Sequence, residues 1–107
     1  MEFLFKHDNF QNEVLESEIP VLVDFYAVWC GPCRMMTPII SELAIEFAGR
    51  CKVGKCDIDE EMELAETYKI MSIPTMIIFV GGKPVETIIG MKTKSELVDK
   101  LANILKK

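Results

Sequence analysis

The sequence lacks the features that mark a membrane protein, a secreted precursor or a nucleic-acid-binding protein. No apolar run approaches the roughly 20 residues that a membrane-spanning helix needs, and charge enters the amino-terminal segment too early for the apolar core of a signal peptide. Basic residues are few, because 12 Lys and Arg stand against 17 Asp and Glu, for a net charge of −5. No basic cluster is longer than Lys106-Lys107, which argues against a phosphate-binding face. We therefore expect a cytoplasmic protein that binds neither membrane nor nucleic acid.

The chain also lacks internal repeats, low-complexity segments and a linker between domains. Its 107 residues fit one compact domain, residues 1–107, and a hydrophobic content of 50% is enough for a core without cross-links. Histidine occurs once, and cysteine occurs four times, at positions 30, 33, 51 and 56. In a reducing compartment, paired cysteines are more often catalytic or metal-binding than structural.

The spacing of apolar residues changes repeatedly along the chain, as it does in α/β domains. Apolar runs predict strands over 3–5, 21–27, 51–58, 76–80 and 85–89, with a hairpin turn at Gly81-Gly82. Helical spacing predicts four helices, which begin near Asp8 or Asn9, at Pro32, after a cap at Asp59, and after a capping box formed by Thr93 and Glu96. The element order β-α-β-α-β-α-β-β-α predicts a mixed central sheet with helices on both faces.

The segment Trp29-Cys30-Gly31-Pro32-Cys33 has the pattern needed for thiol–disulfide exchange. That reaction needs one thiolate to attack a sulfur and a second thiol to release the mixed disulfide. Cys30 falls where a strand meets a helix, so unpaired N–H groups and the positive end of the helix dipole should stabilise its thiolate. Gly31 gives a partner backbone close access, and Pro32 pre-sets helical geometry without an N–H group to satisfy. Cys33, one turn deeper, should be less exposed.

Asp24 lies in the middle of an apolar strand, ahead of Cys30. Burial of a carboxyl group there should raise its pKa towards neutrality and suit it to exchange protons with the Cys33 thiol. Lys55, in the neighbouring strand, would moderate that shift. The alternative is that Asp24 is an ordinary charge on a solvent-facing strand and that Lys55 is an ordinary surface lysine.

The other two cysteines, Cys51 and Cys56, are expected to be inert buried thiols. Five residues of strand span about 16 Å, whereas a disulfide needs Cα atoms within about 7 Å, so these two cannot bridge each other. A zinc site formed by all four cysteines is the alternative, because their spacing loosely resembles a zinc ribbon. A long amphipathic helix between the two pairs argues against that arrangement, so no metal is expected.

The chain as a whole resembles the thioredoxin family, and the resemblance covers nearly all of its length. The residues that carry it are Val23-Asp24-Phe25-Tyr26-Ala27, Trp29-Cys30-Gly31-Pro32-Cys33, Pro38, Lys55, Ile73-Pro74-Thr75, Gly82 and Gly90. A Cys-x-x-Cys alone is weak evidence, but this extended motif after an apolar strand, with Ile-Pro-Thr about forty residues later, is highly specific. The resemblance implies the thioredoxin fold, a three-layer α/β/α domain with a central mixed five-stranded sheet and four helices.

The resemblance also implies the roles of the reacting residues. Cys30 would attack the substrate disulfide, and Cys33 would resolve the mixed disulfide. Asp24 would be the buried acid/base beside Cys33, with Lys55 as its catalytic neighbour. The Gly31-Pro32 dipeptide is the reducing variant of the family, whereas oxidising and isomerising relatives more often carry His before the second cysteine.

A substrate-binding surface follows from the same resemblance. In the Ile73-Pro74-Thr75 segment, Pro74 would be cis and would face the cysteine pair. The Ile73 backbone would then hold a substrate strand by main-chain hydrogen bonds. Trp29, Gly82 and Gly90 would border an apolar docking groove.

The function implied is that of a general protein-disulfide reductase, which binds no cofactor and cycles between a dithiol and a disulfide. A nucleotide-binding glycine fingerprint is absent from the sequence, so electrons must come from a separate thioredoxin reductase. We expect a monomer whose substrates are protein disulfides. Two alternatives stay open: a glutaredoxin-like enzyme that uses glutathione, and an interaction module whose dithiol acts as a switch.

The chain departs from the family pattern at four positions. Tyr26 stands where many members have Trp, Val28 where a polar residue or Pro is common, and Ser72 where Gly or Ala is frequent, while Met91 follows Gly90. We expect these differences to tune partner choice more than chemistry. Most of the seven methionines suit a core, although those at 35, 36, 71, 76 and 91 would also suit an adaptable surface.

Overall fold

The computed structural model describes residues 2–106, so both ends of the predicted domain, Met1 and Lys107, lie outside the described residues. The strands are β1 (Glu2–Leu4), β2 (Val21–Tyr26), β3 (Lys52–Asp57), β4 (Thr75–Val80) and β5 (Lys83–Ile89). The helices are a short π-helical segment (Gln11–Leu15), α1 (Gly31–Glu46), α2 (Met62–Thr67) and α3 (Lys94–Leu105). The predicted order of elements is confirmed. No helix within 2–106 is long and apolar enough to cross a membrane.

The five strands form one mixed sheet in the order β1-β3-β2-β4-β5, as the α/β prediction requires. The central strand β2 is parallel to β3 and antiparallel to β4, and the β4–β5 hairpin forms an antiparallel edge. The first five residues of β2 are all buried, which accounts for the nearly continuous apolar sequence of this strand. Since β2 leads into α1, the segment between them lies at the carboxyl end of the sheet's central strand.

Helices cover both faces of the sheet and give it the predicted three layers. On one face, α1 and α3 pack against side chains that include Leu22 and Met76. On the other face, the π-helical segment and α2 pack around Phe25 and Phe79. Successive residues of a strand point to opposite faces, so Asp24 shares the α1 face with Leu22. A carboxyl group therefore lies beneath the helix that carries Cys33.

Two local predictions are wrong. Asp59 does not cap α2, because that helix begins without a side-chain capping hydrogen bond. Cys51 lies just before β3 instead of inside it, since its N–H still donates to the Phe47 carbonyl at the end of α1. The capping box of Thr93 and Glu96 at the start of α3 is present, as predicted.

Candidate active site

The two cysteines of the Trp29–Cys33 segment form a disulfide where β2 leads into α1. Cys30 is the residue immediately before α1, with extended backbone, and Cys33 lies in the first turn of the helix. Their Cα atoms are 5.2 Å apart. Cys30 is 6% exposed and Cys33 is 2% exposed. Cys30 is therefore the outer, more exposed residue of the pair.

The first turn of α1 favours negative charge on the Cys30 sulfur. The Cys33 N–H donates to Cys30 Sγ over 3.2 Å, so the sulfur occupies the position of a capping side chain. Pro32 stands in the first turn, where a missing N–H costs nothing. A Cβ on Gly31 would meet no atom within 4 Å, so a partner can approach over this residue. After reduction, the hydrogen bond and the helix dipole both favour the Cys30 thiolate over the thiol.

The Asp24 carboxyl group is buried in the sheet beneath α1. The residue is 1% exposed, and neither carboxylate oxygen has a hydrogen-bond partner among the described residues. Desolvation raises the pKa of Asp24 from 3.8 to about 7, while the positive charge of Lys55 lowers it and the negative charge of Glu2 raises it. The alternative of a solvent-facing Asp24 is wrong. A carboxyl group with this pKa can accept or release a proton near neutral pH.

Lys55 is partly buried on the strand next to Asp24 and is not an ordinary surface lysine. It is the register neighbour of Asp24 on the adjacent parallel strand. Its Nζ lies 4.6 Å from the centroid of the Tyr26 ring and donates to Thr37 Oγ1 over 3.5 Å. Since Asp24 accepts no hydrogen bond from any residue in 2–106, Lys55 acts on it through space.

The loop before β4 faces the outer cysteine. The Ile73–Pro74 peptide bond is cis, as predicted, and the Ile73 carbonyl oxygen lies 4.0 Å from Cys30 Sγ. Neither the N–H nor the carbonyl of Ile73 takes part in a backbone hydrogen bond within the described chain. Gly90 lies against this loop, because its N–H donates to the Pro74 carbonyl over 2.9 Å. Ile73 therefore brings backbone groups without a backbone partner next to the disulfide.

Thr75 supports this loop from behind. The residue is 4% exposed, and its hydroxyl donates to the Ser72 carbonyl over 2.6 Å. Its backbone is paired with Phe25 on one side and Ile89 on the other. Thr75 therefore holds the loop in place through its side chain and its backbone.

Exposed apolar side chains lie in the three segments that meet near the disulfide. Trp29 is 66% exposed, and its Nε1 donates to Asp59 Oδ2 over 2.8 Å. Met71, in the loop that leads to Ile73, and Met91, which follows Gly90, are also exposed. We call Trp29, Met71 and Met91 the apolar rim.

The hydrogen bond between Trp29 and Asp59 was not predicted, although the sequence contains a signal for it. Trp29 follows β2 and Asp59 follows β3, and these strands are parallel neighbours. The carboxyl ends of parallel neighbours lie at the same edge of a sheet, so polar groups just beyond them can meet. Asp59 therefore fixes the Trp29 indole instead of capping α2.

Gly82 does not belong to this surface. It lies in the β4–β5 turn, and the six residues of β4, which span about 20 Å, separate it from the cis-proline loop. Its φ is +80°, and a Cβ there would lie 2.5 Å from the Leu15 carbonyl oxygen. The glycine is needed for the turn to pack on the π-helical segment, and the prediction that it borders the docking groove is wrong.

The remaining cysteines lie apart from each other and from the disulfide. Cys51 packs in the core under α1 and α3, and Cys56 packs in the core on the opposite face. Desolvation raises the pKa of each thiol to about 12. Four cysteines separated in this way cannot share a zinc ion, and residues 2–106 contain no cluster of three side chains suited to hold a metal.

Alkylation should distinguish Cys30 sharply from these buried thiols. In the reduced, folded protein at neutral pH, Cys30 is expected to react with iodoacetamide at least about a hundredfold faster than Cys51 or Cys56, because only an accessible thiolate reacts. Peptide mass spectrometry over a time course measures the three rates, and the urea-unfolded protein, in which all the cysteines should react, is the control. Similar rates for Cys30 and Cys51 in the folded protein would contradict the burial argument.

Comparison with known proteins agrees with this geometry. The model of the thioredoxin family matches residues 2–103. The chain belongs to the thioredoxin family. A thioredoxin of Rickettsia felis is 50% identical over 91 residues, which cover 85% of this chain and 87% of that protein. The M-type chloroplastic thioredoxin of Chlamydomonas reinhardtii is 48% identical over 98 residues, or 92% of this chain and 70% of the relative.

A fused relative is also similar. A bifunctional thioredoxin reductase/thioredoxin of Mycobacterium leprae is 45% identical over 97 residues, which cover 91% of this chain and 21% of that protein. Members of the thioredoxin family are thiol–disulfide oxidoreductases that use a redox-active cysteine pair and carry no cofactor. This chain is therefore a thiol–disulfide oxidoreductase that reduces protein disulfides, with Cys30–Cys33 as its redox-active disulfide.

Proposed function

We propose that Cys30 is the attacking residue and Cys33 the resolving residue of a general protein-disulfide reductase. The Cys30 thiolate attacks one sulfur of a substrate disulfide, forms a mixed disulfide and expels the first substrate thiolate. The Cys33 thiolate then attacks Cys30 Sγ, expels the second substrate thiolate and forms the Cys30–Cys33 disulfide. Two electrons pass to the substrate, and its two thiolates take up protons. The observation that carries this assignment is the outer position of Cys30 at the start of α1, with Cys33 behind it.

Asp24 serves the second step as its acid/base, with Lys55 as a nearby charge. Cys33 must lose a proton before it can attack, and Asp24 lies on the face of the sheet that α1 covers. A carboxyl group with a pKa of about 7 is well matched to a thiol at neutral pH. The ionised Asp24 takes the Cys33 proton and later returns it to solvent or to the leaving thiolate.

Substrates dock at the cis-proline loop and the apolar rim. An extended segment of the substrate pairs with the free N–H and carbonyl of Ile73, which places its disulfide against Cys30 Sγ. Apolar substrate side chains then pack on the rim formed by Trp29, Met71 and Met91, where methionine adapts to different shapes. Thr75 and Gly90 act indirectly, by holding the loop in place.

The disulfide is returned to the dithiol by a thioredoxin reductase, as the family implies. The fused reductase/thioredoxin relative in Mycobacterium leprae supports this partner. We also propose that residues 1–107 act as one domain and as a monomer, and that the protein works in the cytoplasm. A glutathione-dependent enzyme and a non-catalytic thiol switch are less well supported, because the Trp-Cys-Gly-Pro-Cys segment and the family match both indicate a turnover enzyme.

Turnover with dithiothreitol as the electron donor tests this function. Catalytic amounts of the protein are expected to accelerate reduction of a small disulfide-bonded protein over many turnovers, whereas glutathione at the same thiol concentration should give little acceleration. The protein with its reduced Cys30 alkylated is the control. No acceleration above dithiothreitol alone would overturn the proposal, and a single stoichiometric turnover would favour the switch.

A further inference from the structure

Two residues outside the cysteine pair contact the ammonium group of Lys55. Its Nζ lies over the Tyr26 ring, 4.6 Å from the centroid, which is within the range of a cation–π interaction. It also lies 3.5 Å from Thr37 Oγ1. Thr37 is one helical turn after Cys33, and its hydroxyl also donates to the Cys33 carbonyl over 3.4 Å. These contacts hold the ammonium group between β2 and α1.

Tyr26 connects this ammonium group to the disulfide. It follows Asp24 by two residues on β2 and therefore faces the same side of the sheet. It also packs against the small cluster formed by Ala27, Cys30 and Cys33. One aromatic side chain thus touches both the redox centre and the cation that acts on Asp24.

We propose that Tyr26, assisted by Thr37, is a positioning residue for the proton transfer that accompanies the resolving step. Its ring holds the Lys55 ammonium beside the Asp24 carboxyl group, where the charge acts through space and donates no hydrogen bond. This inference rests on the proposed role of Asp24 and deepens it. An aromatic residue at this position would then serve the chemistry, and not only partner choice as the sequence suggested.

The placement of one ammonium matters because Asp24 has few other charged neighbours. Lys55 approaches from β3, and Glu2 approaches from β1 with a like charge that opposes ionisation. On the β4 side, the register neighbour of Asp24 is the buried, apolar Met76. The buried face of α1 contributes the Cys33 sulfur and no charged side chain. Lys55 is therefore the cation that offsets the cost of ionising Asp24.

Loss of the Tyr26 ring should let the ammonium move away from Asp24. Lys55 and Tyr26 line a cavity of about 90 Å³ together with Asp57 and Glu60, which are closer to solvent. A freed ammonium group would turn towards these carboxylates and water, because entry into the apolar surroundings of Asp24 costs desolvation. The pKa of Asp24 would then rise.

Comparison of Tyr26→Leu with Tyr26→Phe tests the proposal. Leucine removes the aromatic face, whereas phenylalanine keeps it. Since an opposite charge nearby shifts a carboxyl pKa by about 1–3 units, we expect Tyr26→Leu to raise the pKa of Asp24 by about half a unit. Tyr26→Phe should leave that pKa at its wild-type value. NMR titration of the Asp24 carboxyl carbon in the oxidised protein measures it, and the pH at which the resolving step is half-maximal should rise with it.

The Lys55→Met background separates positioning from a structural effect. This variant alone should raise the pKa of Asp24 by about one unit, and Tyr26→Leu should then add no further shift. Thr37→Val, with Thr37→Ser as its matched control, gives a second test that does not depend on the folding of Tyr26→Leu. We expect a smaller upward shift in Thr37→Val and recovery in Thr37→Ser.

Three results would overturn the proposal: an unchanged or lower Asp24 pKa in Tyr26→Leu, the same shift when Lys55 is absent, or an unchanged pKa in Thr37→Val if only that variant folds. The NMR titration does not depend on turnover. Failure of the positioning proposal is therefore distinct from failure of the disulfide-reductase assay, which would overturn the proposed function itself.

Discussion

Replacement of Cys30 by serine is expected to abolish protein-disulfide reduction, with a loss of turnover of about a thousandfold or more. The serine hydroxyl stays protonated at neutral pH, and it cannot form the mixed disulfide through which electrons pass to the substrate. The stabilising features of the site, the Cys33 N–H and the start of α1, act on a sulfur anion that is no longer there. Dithiothreitol-driven reduction of a small disulfide-bonded protein measures the loss.

Cys33→Ser is the matched variant, because it keeps the attacking sulfur and removes only the resolving one. It should form the mixed disulfide with substrate and then stall. Non-reducing electrophoresis and intact-mass measurement should show a one-to-one adduct that dithiothreitol releases. Accumulation of this adduct in Cys30→Ser instead would reverse the two roles, and wild-type turnover in Cys30→Ser would show that the mechanism is wrong.

The burial of Asp24 could be predicted because its strand is almost continuously apolar. Residues 21–25 are buried on both faces of the sheet. The side chain of a charged residue in this run is therefore covered, whichever face it lies on. The helix dipole at Cys30 was equally predictable, since Pro32 marks the first turn of α1. In both cases the physical cause lies in neighbours along the chain.

Contacts between distant segments were harder to predict. Helical spacing places Met36 with Ile40 on the buried face of α1, whereas Met71 lies in a loop without periodicity, so its exposure depends on the tertiary fold. The Lys55 ammonium finds its partners on β2 and α1, and a long flexible side chain leaves no pattern in the sequence that indicates where its charge will lie.

The error at Gly82 has a different origin. The resemblance assigned this residue to the docking groove, while the sequence itself marked Gly81-Gly82 as a hairpin turn. The turn between β4 and β5 must lie one full strand away from Thr75, the first residue of β4. The structure places the turn there. Strand geometry therefore contradicts the role that the motif implied for Gly82.

Asp24→Asn is expected to slow resolution of the mixed disulfide by about a hundredfold, because an amide cannot take the Cys33 proton. Rapid-mixing measurement of the breakdown of the mixed disulfide isolates this step from the attack by Cys30. The attack itself should change little, since Cys30 draws its stabilisation from the start of α1. An unchanged rate of resolution would remove Asp24 from the mechanism.

The same variant should become more stable relative to wild type as the pH rises. Asp24 has a pKa of about 7 in the folded protein and 3.8 as its ordinary value, so between these values the unfolded chain binds fewer protons and wild-type stability falls with increasing pH. A difference of about three pKa units corresponds to a loss of about 4 kcal/mol of wild-type stability. This loss is absent below about pH 4 and complete above about pH 7.

Urea unfolding across this pH range measures the effect in both proteins. The free energy of unfolding of Asp24→Asn, minus that of wild type, should increase by about 4 kcal/mol between about pH 4 and about pH 8. Any fixed cost of burying the amide cancels in this increase, so the result reports only the ionisation of Asp24. Parallel stability curves would show that the carboxyl group is not held in a desolvated site. An increase together with slow resolution would show that wild type gives up stability at neutral pH to keep an ionisable group beneath Cys33.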